Sequence, residues 1–301
     1  MFFQRPHLAA VIGGLLLSCA AYAGKLAIVI DDFGYRPSEE NKVLQMPAAI
    51  SVAVLPDAPG ARSMAIKAHQ GGHEVLIHLP MAPLSKQPLE KDTLMPEMSS
   101  EEIARILHNA VNNVPYAVGL NNHMGSKMTS SLPGMVKMMQ ALNQYNFYFL
   151  DSMTIGNSQS VPAAQGTRVK VLKRRVFLDD SQDIDAIRQQ FARAVKLAQR
   201  DGYAIAIGHP HPNTVRVLQQ MLPTLPADIT LVRPSQLLNE PLHSGTSPVK
   251  PQPRPRPQKP VFQPPGVCQV QPQPVPATKA LGVVWESVSQ SVIAQRLKEL
   301  F

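Results

Sequence analysis

From Lys25 to Val232, short β-branched or apolar runs alternate with segments of helical period, and few architectures accommodate that alternation. Strands joined through helices run parallel, because a parallel pair needs a long crossover connection. Eight runs read as strands: Leu26 to Ile30, Ala49 to Leu55, Glu74 to Leu79, Ala117 to Leu120, Phe147 to Leu150, Val169 to Leu178, Ala204 to Ile207 and Ile229 to Val232. A helix is predicted over Ser99 to Val114, where hydroxyl caps precede Glu101 and Glu102. A second is predicted over Ile184 to Arg200, with Ile184, Ile187, Phe191, Ala194, Val195 and Ala198 on one face. The expected class is α/β, built as a closed or nearly closed barrel; a doubly wound open sheet satisfies the same periodicity.

The segments flanking this region read differently. Arg5 and His7 precede an apolar run from Leu8 to Leu17, and Ala21-Tyr22-Ala23 places small residues where a signal peptidase reads, so residues 1–23 are expected to be a cleaved secretory signal. The run is shorter than the roughly 20 apolar residues a membrane span needs, and no later run reaches that length, so no spanning segment is expected after cleavage. Cleavage would remove Cys19 and leave Cys268 as the one thiol, so stability must come from a core in residues 24–240 rather than from a disulfide. The expected location is the periplasm.

Residues 248–276 hold eleven prolines, a density that excludes helix and central strand. Residues 241–284 therefore read as a basic, disordered linker, and residues 285–301 as a short amphipathic helix with Val288, Val292, Leu297 and Leu300 to one side. Five of the eight net positive charges fall in that linker, on Lys250, Arg254, Arg256, Lys259 and Lys279. Basicity is thus a property of the tail, and nucleic-acid binding is not expected of the folded region. The tail suits a tether to an envelope protein.

In parallel α/β folds the active site lies beyond the C-terminal ends of the strands. Six predicted strands end there in a carboxylate or imidazole: Asp31-Asp32, His78, Asn121-Asn122-His123, Asp151, Asp179-Asp180 and His209-Pro210-His211. A single Asp after a strand is ordinarily a helix cap or an Asx turn. Six such ends on one rim, alternating Asp with His, point to a site. Aspartate and histidine without a thiolate suit a divalent ion of zinc type and hydrolysis at a carbonyl. No glycine-rich phosphate loop is present, and neither Ser126 nor Ser152 sits in a nucleophile elbow. His69 and His73, flanking Gly71-Gly72, are expected to be structural.

The runs Ile28-Val29-Ile30-Asp31-Asp32-Phe33-Gly34, Gly72-His73-Glu74-Val75-Leu76-Ile77-His78-Leu79-Pro80-Met81, Asn121-Asn122-His123-Met124-Gly125-Ser126 and Gly208-His209-Pro210-His211 together resemble the divergent polysaccharide deacetylase family. The resemblance spans roughly residues 25–240. It implies a distorted (β/α) barrel of the NodB-like type, a bound Zn2+ and the removal of N-acetyl groups from amino-sugar polymers, of which peptidoglycan is the obvious exported one. It assigns Asp31 as catalytic base, Asp32 and His78 as metal ligands and His209 as general acid. The superfamily's second histidine does not carry over, since Ala82 stands four residues after His78. His123 takes its place as the expected third ligand, at the strand end where the ordinary enzymes present an Arg-x-Pro-Tyr motif. Asn122, Asp151, Asp179 and His211 are expected around the site, Asp151 and Asp179 orienting histidines and His211 either completing the metal site or stacking near sugar.

Against this stands a protein that keeps the barrel but binds a glycan or an envelope partner without efficient catalysis, a reading that Ala82 and the absent arginine motif favour. Under either reading the tail is separable. Removing residues 241–301 is expected to leave the thermal melting temperature of the remaining chain unchanged, as monitored by circular dichroism.

Overall fold

The computed structural model describes residues 23–241. The expected signal peptide, linker and terminal helix fall outside the described residues. The chain opens with β1 (Gly24–Phe33), α1 (Pro37–Val43), β2 (Ser51–Val54), α2 (Ala61–Gln70) and β3 (Val75–Met81). It continues through α3 (Ser100–Asn113), β4 (Ala117–Met124), α4 (Ser126–Ser130), α5 (Leu132–Leu142), β5 (Tyr148–Asp151) and α6 (Ser160–Ala163). The last part holds β6 (Val171–Lys173), β7 (Val176–Phe177), α7 (Ile184–Asp201), β8 (Tyr203–Gly208), α8 (Pro212–Met221) and β9 (Ile229–Leu231).

All strand pairs are parallel, and the ladder runs β6-β5-β4-β3-β2-β1-β8-β7, with β9 alongside the start of β1. A doubly wound sheet reverses direction at a switch point. Here β1 to β6 follow one another without reversal, and β7 and β8 return to β1 from the other side. The two ends of the ladder are joined by Arg174 and Arg175 alone. The Arg174 N–H donates to the Asp151 carbonyl at 2.9 Å, while that of Arg175 donates to Ile205 at 2.8 Å. One step of the chain thus passes from one edge to the other, and the sheet curls into a distorted (β/α) barrel.

That seam corrects the expectation of a single strand from Val169 to Leu178. Its first half pairs with β5 (Phe149↔Val171, Asp151↔Lys173) and its second with β8 (Val176↔Ala206, Phe177↔Ile207). Lys173, Arg174 and Arg175 interrupt the apolar run where the chain changes neighbours. The other seven strands and both predicted helices are present, within a few residues at each end. Ser99 caps α3 as expected, its hydroxyl accepting from the Glu102 N–H at 3.2 Å.

Two buried layers follow from the strand pleat. Leu26, Ile28, Ile30, Ile77, Leu120 and Phe149 pack toward the helices. Ala27, Val29, Leu76, Tyr148, Leu150, Ile205 and Ile207 form a second cluster within the barrel. Side chains alternate faces along a strand, so the residue two places beyond an inward one is also inward. His73 is buried and bonds two main-chain carbonyls, those of Ile50 and Leu44, while His69 stacks on Tyr116 at 4.0 Å.

At the other end of the barrel the Tyr148 hydroxyl donates to the buried Glu74 carboxylate at 2.8 Å. Ser235, from the closing 3-10 turn Pro234–Leu237, donates to the same carboxylate through its N–H at 3.1 Å. The Tyr148 ring leaves no room beside β4: a Cβ on Gly119 would lie 2.7 Å from it. Since the hydroxyl tether resists a shift of the ring, Gly119→Ala is expected to destabilise the chain by about 1–3 kcal/mol in urea unfolding.

Candidate metal and acid–base site

Asp31 stands two residues beyond Val29, His78 two beyond Leu76 and His209 two beyond Ile207, so pleat parity sends all three inward at the C-terminal rim. Asp32 would face the helices on the same count. Its φ of +58°, in the left-handed region that non-glycine residues seldom adopt, breaks the alternation and brings its carboxylate to the cavity side. A buried carboxylate sustains this turn. Glu40 Oε1 accepts the N–H groups of Gly34, Tyr35 and Arg36 at 2.9, 3.0 and 2.6 Å, fixing the chain just after the aspartates.

Asp32 Oδ1 lies 3.2 Å from His78 Nε2 and 3.0 Å from His123 Nδ1, and the two imidazole nitrogens are 3.1 Å apart. Tetrahedral coordination at zinc-type bond lengths of about 2.0–2.1 Å separates neighbouring ligand atoms by about 3.3 Å, so the triangle matches one face of such a site. Two features make it a cradle rather than a self-satisfied cluster. Asp32 Oδ1 is buried and accepts no hydrogen bond. His78 Nδ1 donates to Asn121 Oδ1 at 2.7 Å, which turns the Nε2 lone pair toward the other two ligand atoms. The residues fit a divalent ion.

Asn121 does more than hold His78. Its amide nitrogen donates to Asp31 Oδ1 at 2.8 Å, so one side chain sets both the ligand and the carboxylate beside it. Burial raises the Asp31 pKa above the usual carboxylate range, and Asp32 adds to this; His78, His209 and the Asn121 bond oppose without reversing it. For Asp32, burial acts in the same direction, but the imidazoles of His123 and His78 prevail and hold the carboxyl well below its ordinary range. The adjacent acids are thereby driven apart in proton affinity.

His209 faces Asp32 from β8, with Nε2 3.9 Å from Oδ2. Behind it, Asp179 accepts the ring N–H on Nδ1 at 3.0 Å, the His209 main-chain N–H at 2.7 Å and the Thr214 hydroxyl at 2.7 Å. Burial works against the His209 cation, yet the Asp179 hydrogen bond and charge, with Asp31 and Asp32, raise its pKa to about 9. The ring therefore carries a proton at neutral pH.

The remaining expected site residues take different positions. Asp151 orients no histidine: Tyr148 and Leu150 face the barrel interior, so Asp151 faces the helix side. There its Oδ2 accepts the hydroxyls of Ser158 and Ser160 at 2.6 and 2.5 Å, and Oδ1 the Met153 N–H at 2.8 Å. Asn122 lines the cavity of the candidate site and ties β4 to β5 by accepting the Ser152 N–H at 2.9 Å and donating to the Met124 carbonyl at 2.7 Å. His211 Nδ1 lies 2.5 Å from the Arg36 guanidinium, which spends that lone pair. Burial, aided by Arg36 and His209, lowers its pKa, and its ring is tilted against His209 with centroids 5.6 Å apart. Although its ligand atom lies within 4.8 Å of those of Asp179 and His209, the occupied lone pairs in that trio suit hydrogen bonding rather than a second ion.

These groups open onto a cavity of about 410 Å3, whose lining includes Asp31, His78, His123, Phe177, Ile207 and His209. Its size falls within the range of small-molecule sites. The sequence placed Asn121 at a strand end beside His123 but gave it no role at the site. The signal for it is its place two residues before His123, on the same face of β4 and in register with His78.

Comparison with known proteins bears on the family and the fold. The profile of the divergent polysaccharide deacetylase family matches residues 28–238. The YibQ protein of Escherichia coli is 63% identical over 295 residues, covering 97% of this chain and 92% of that one. A protein of Haemophilus influenzae is 45% identical over 208 residues, covering 69% and 74%. Among solved structures, a protein from Agrobacterium tumefaciens superposes with a TM-score of 0.67 at 19% identity, covering 72% of this chain and 90% of that one, a likeness of fold.

The two buried acceptors separate cleanly by experiment. Asn121→Ala is expected to weaken zinc binding by about 10–100-fold in chelator competition, because His78 loses the partner that fixes its tautomer. Asp151→Ala is expected to leave zinc affinity unchanged while lowering stability by about 1–3 kcal/mol, since it strands buried hydroxyl and amide donors.

Proposed function

The chain belongs to the divergent polysaccharide deacetylase family, and from that premise we propose that it is an exported, zinc-dependent hydrolase that removes N-acetyl groups from an amino-sugar polymer such as peptidoglycan. The observation that carries the proposal is the convergence of Asp32, His78 and His123 on one point, with Asp31 and His209 beside it. A binding module would need neither an acid nor a base at that point. Export rests on the charged and apolar pattern of residues 1–23.

A divalent ion held by Asp32, His78 and His123 would supply Lewis acidity toward the acetamide carbonyl and make water acidic enough to react near neutral pH. Asp31, with its raised proton affinity and its orientation set by Asn121, takes the proton of the attacking water. His209, kept protonated by Asp179, gives a proton to the amine nitrogen as the carbon–nitrogen bond breaks. Acetate and a free amino sugar result. Ile207 and Phe177 line the same cavity and offer the acetyl methyl an apolar surface.

The second reading, a barrel that binds without turnover, is favoured by Ala82 where the superfamily presents a histidine. The adjacent strand compensates for that loss, since His123 on β4 reaches the same point as His78 on β3.

The test combines elemental analysis with acetate release from an N-acetylated glycan. Unmodified protein is expected to hold one equivalent of zinc, and Asp32→Ala, His78→Ala and His123→Ala to lose it. Asp31→Asn and His209→Gln are expected to retain the metal while acetate release falls by about 10²–10⁴-fold. A wild-type protein that neither holds nor rebinds metal would sink the hydrolase.

A further inference from the structure

The cavity contains one cation for which the deacetylation chemistry has no task. Arg174, at the seam between β6 and β7, lines the cavity and is half-buried. Its Nε donates to the Ser152 carbonyl at 2.6 Å and its Nη2 to the Met153 carbonyl at 2.9 Å. Its Cζ lies 5.0 Å from the centroid of the Phe177 ring. These contacts fix the guanidinium plane without neutralising it, because carbonyls and an aromatic face carry no net charge. Among the described residues no carboxylate lies within 4.0 Å of it.

The acids in the neighbourhood are not its partners. Both oxygens of Asp151 are taken by Ser158, Ser160 and the Met153 N–H, and Asp31 Oδ1 by Asn121. Asp180 lines the same cavity but is exposed to solvent and makes no ion pair with Arg174. Burial lowers the Arg174 pKa, with Asp31, Asp151 and Asp180 opposing, so the charge is kept where desolvation disfavours it. Tying down two carbonyls requires donors only, and a neutral amide would serve. Of the five N–H groups of a guanidinium, three remain here without a protein partner, on a plane already locked. A locked, unpaired guanidinium is the group best suited to a carboxylate, which it can grip through two parallel hydrogen bonds.

We infer that Arg174 selects an N-acetylated amino sugar that also carries a carboxylate close to its acetamide. The inference rests on the deacetylase reading of this cavity and narrows it to an anionic sugar. Asp31, His78, His123, His209 and Arg174 line one cavity, so an acetamide at the first four leaves a neighbouring ring substituent within the same space. A neutral hexosamine leaves the guanidinium unpaired; an acidic one neutralises it.

Three probes separate charge from shape: N-acetylmuramic acid, its methyl ester and N-acetylglucosamine, titrated calorimetrically against the zinc-loaded full chain. The acid is expected to bind about tenfold or more tightly than its ester. Arg174→Gln should bring the acid to the level of the ester while leaving the two neutral sugars unchanged. Arg174→Lys, which keeps the charge and loses the fork, should fall between. Equal affinity of the unmodified protein for acid and ester overturns the inference, and that comparison stands even if the Gln variant does not fold. Equal weakening for all three sugars also overturns it and makes Arg174 a strut for the loop after β5. Acetate release measured alongside distinguishes the two readings. Release without charge preference sinks the inference and spares the deacetylase; charge preference in binding without release from any probe does the reverse.

Discussion

The alternation of faces along a parallel strand governs what reaches the cavity. Barrel closure places one face of each strand inside, and the same two-residue step that puts Val29, Leu76 and Ile207 in the interior puts Asp31, His78 and His209 at its upper rim. No loop has to be folded precariously over the site to supply those groups. They are the last turns of a packed column, and their positions inherit the rigidity of the core beneath. Asp32 is the exception, and it is held in its left-handed conformation by the Glu40 carboxylate that gathers the following N–H groups.

Within that frame one amide divides the electrostatic labour. Asn121 donates to Asp31 and accepts from His78, so the proposed base and the candidate ligand are set by a single side chain on a third strand. Asp179 plays the corresponding part for His209 and adds a charge that Asn121 lacks. The two supports differ as their tasks differ. In the proposed chemistry the histidine that offers a lone pair is backed by a neutral acceptor, whereas the one that gives up a proton is backed by a carboxylate.

Much of this was legible in the sequence. The β/α alternation and the rim of Asp and His after successive strands follow from residue pattern, and Asp31, His78, His123 and His209 line one cavity, with Asp32 against three of their imidazoles. Three features were not legible, for definite reasons. Asp151 ends a strand as Asp31 does but falls on the other parity, a distinction that needs the strand's inward face to be known. Asn121 has no titratable group to draw attention and shows its role only through register with His78. The break at Arg174 depends on which neighbours each half of the segment pairs with, and pairing across a barrel is not written in any local run.

The seam also distributes mechanical compliance. Three residue pairs join β6 to β5 and two join β7 to β8, while β3 and β4 share seven and β1 and β8 six. A hoop yields first at its shortest joints, and the amides there have the fewest neighbours to share a load. The three candidate metal ligands come from β1, β3 and β4, and β1 reaches β3 through β2, with three pairs on each side. A sugar ring that presses the barrel wider is therefore accommodated first between β6 and β7, the two ends of the ladder, where no pairing resists it.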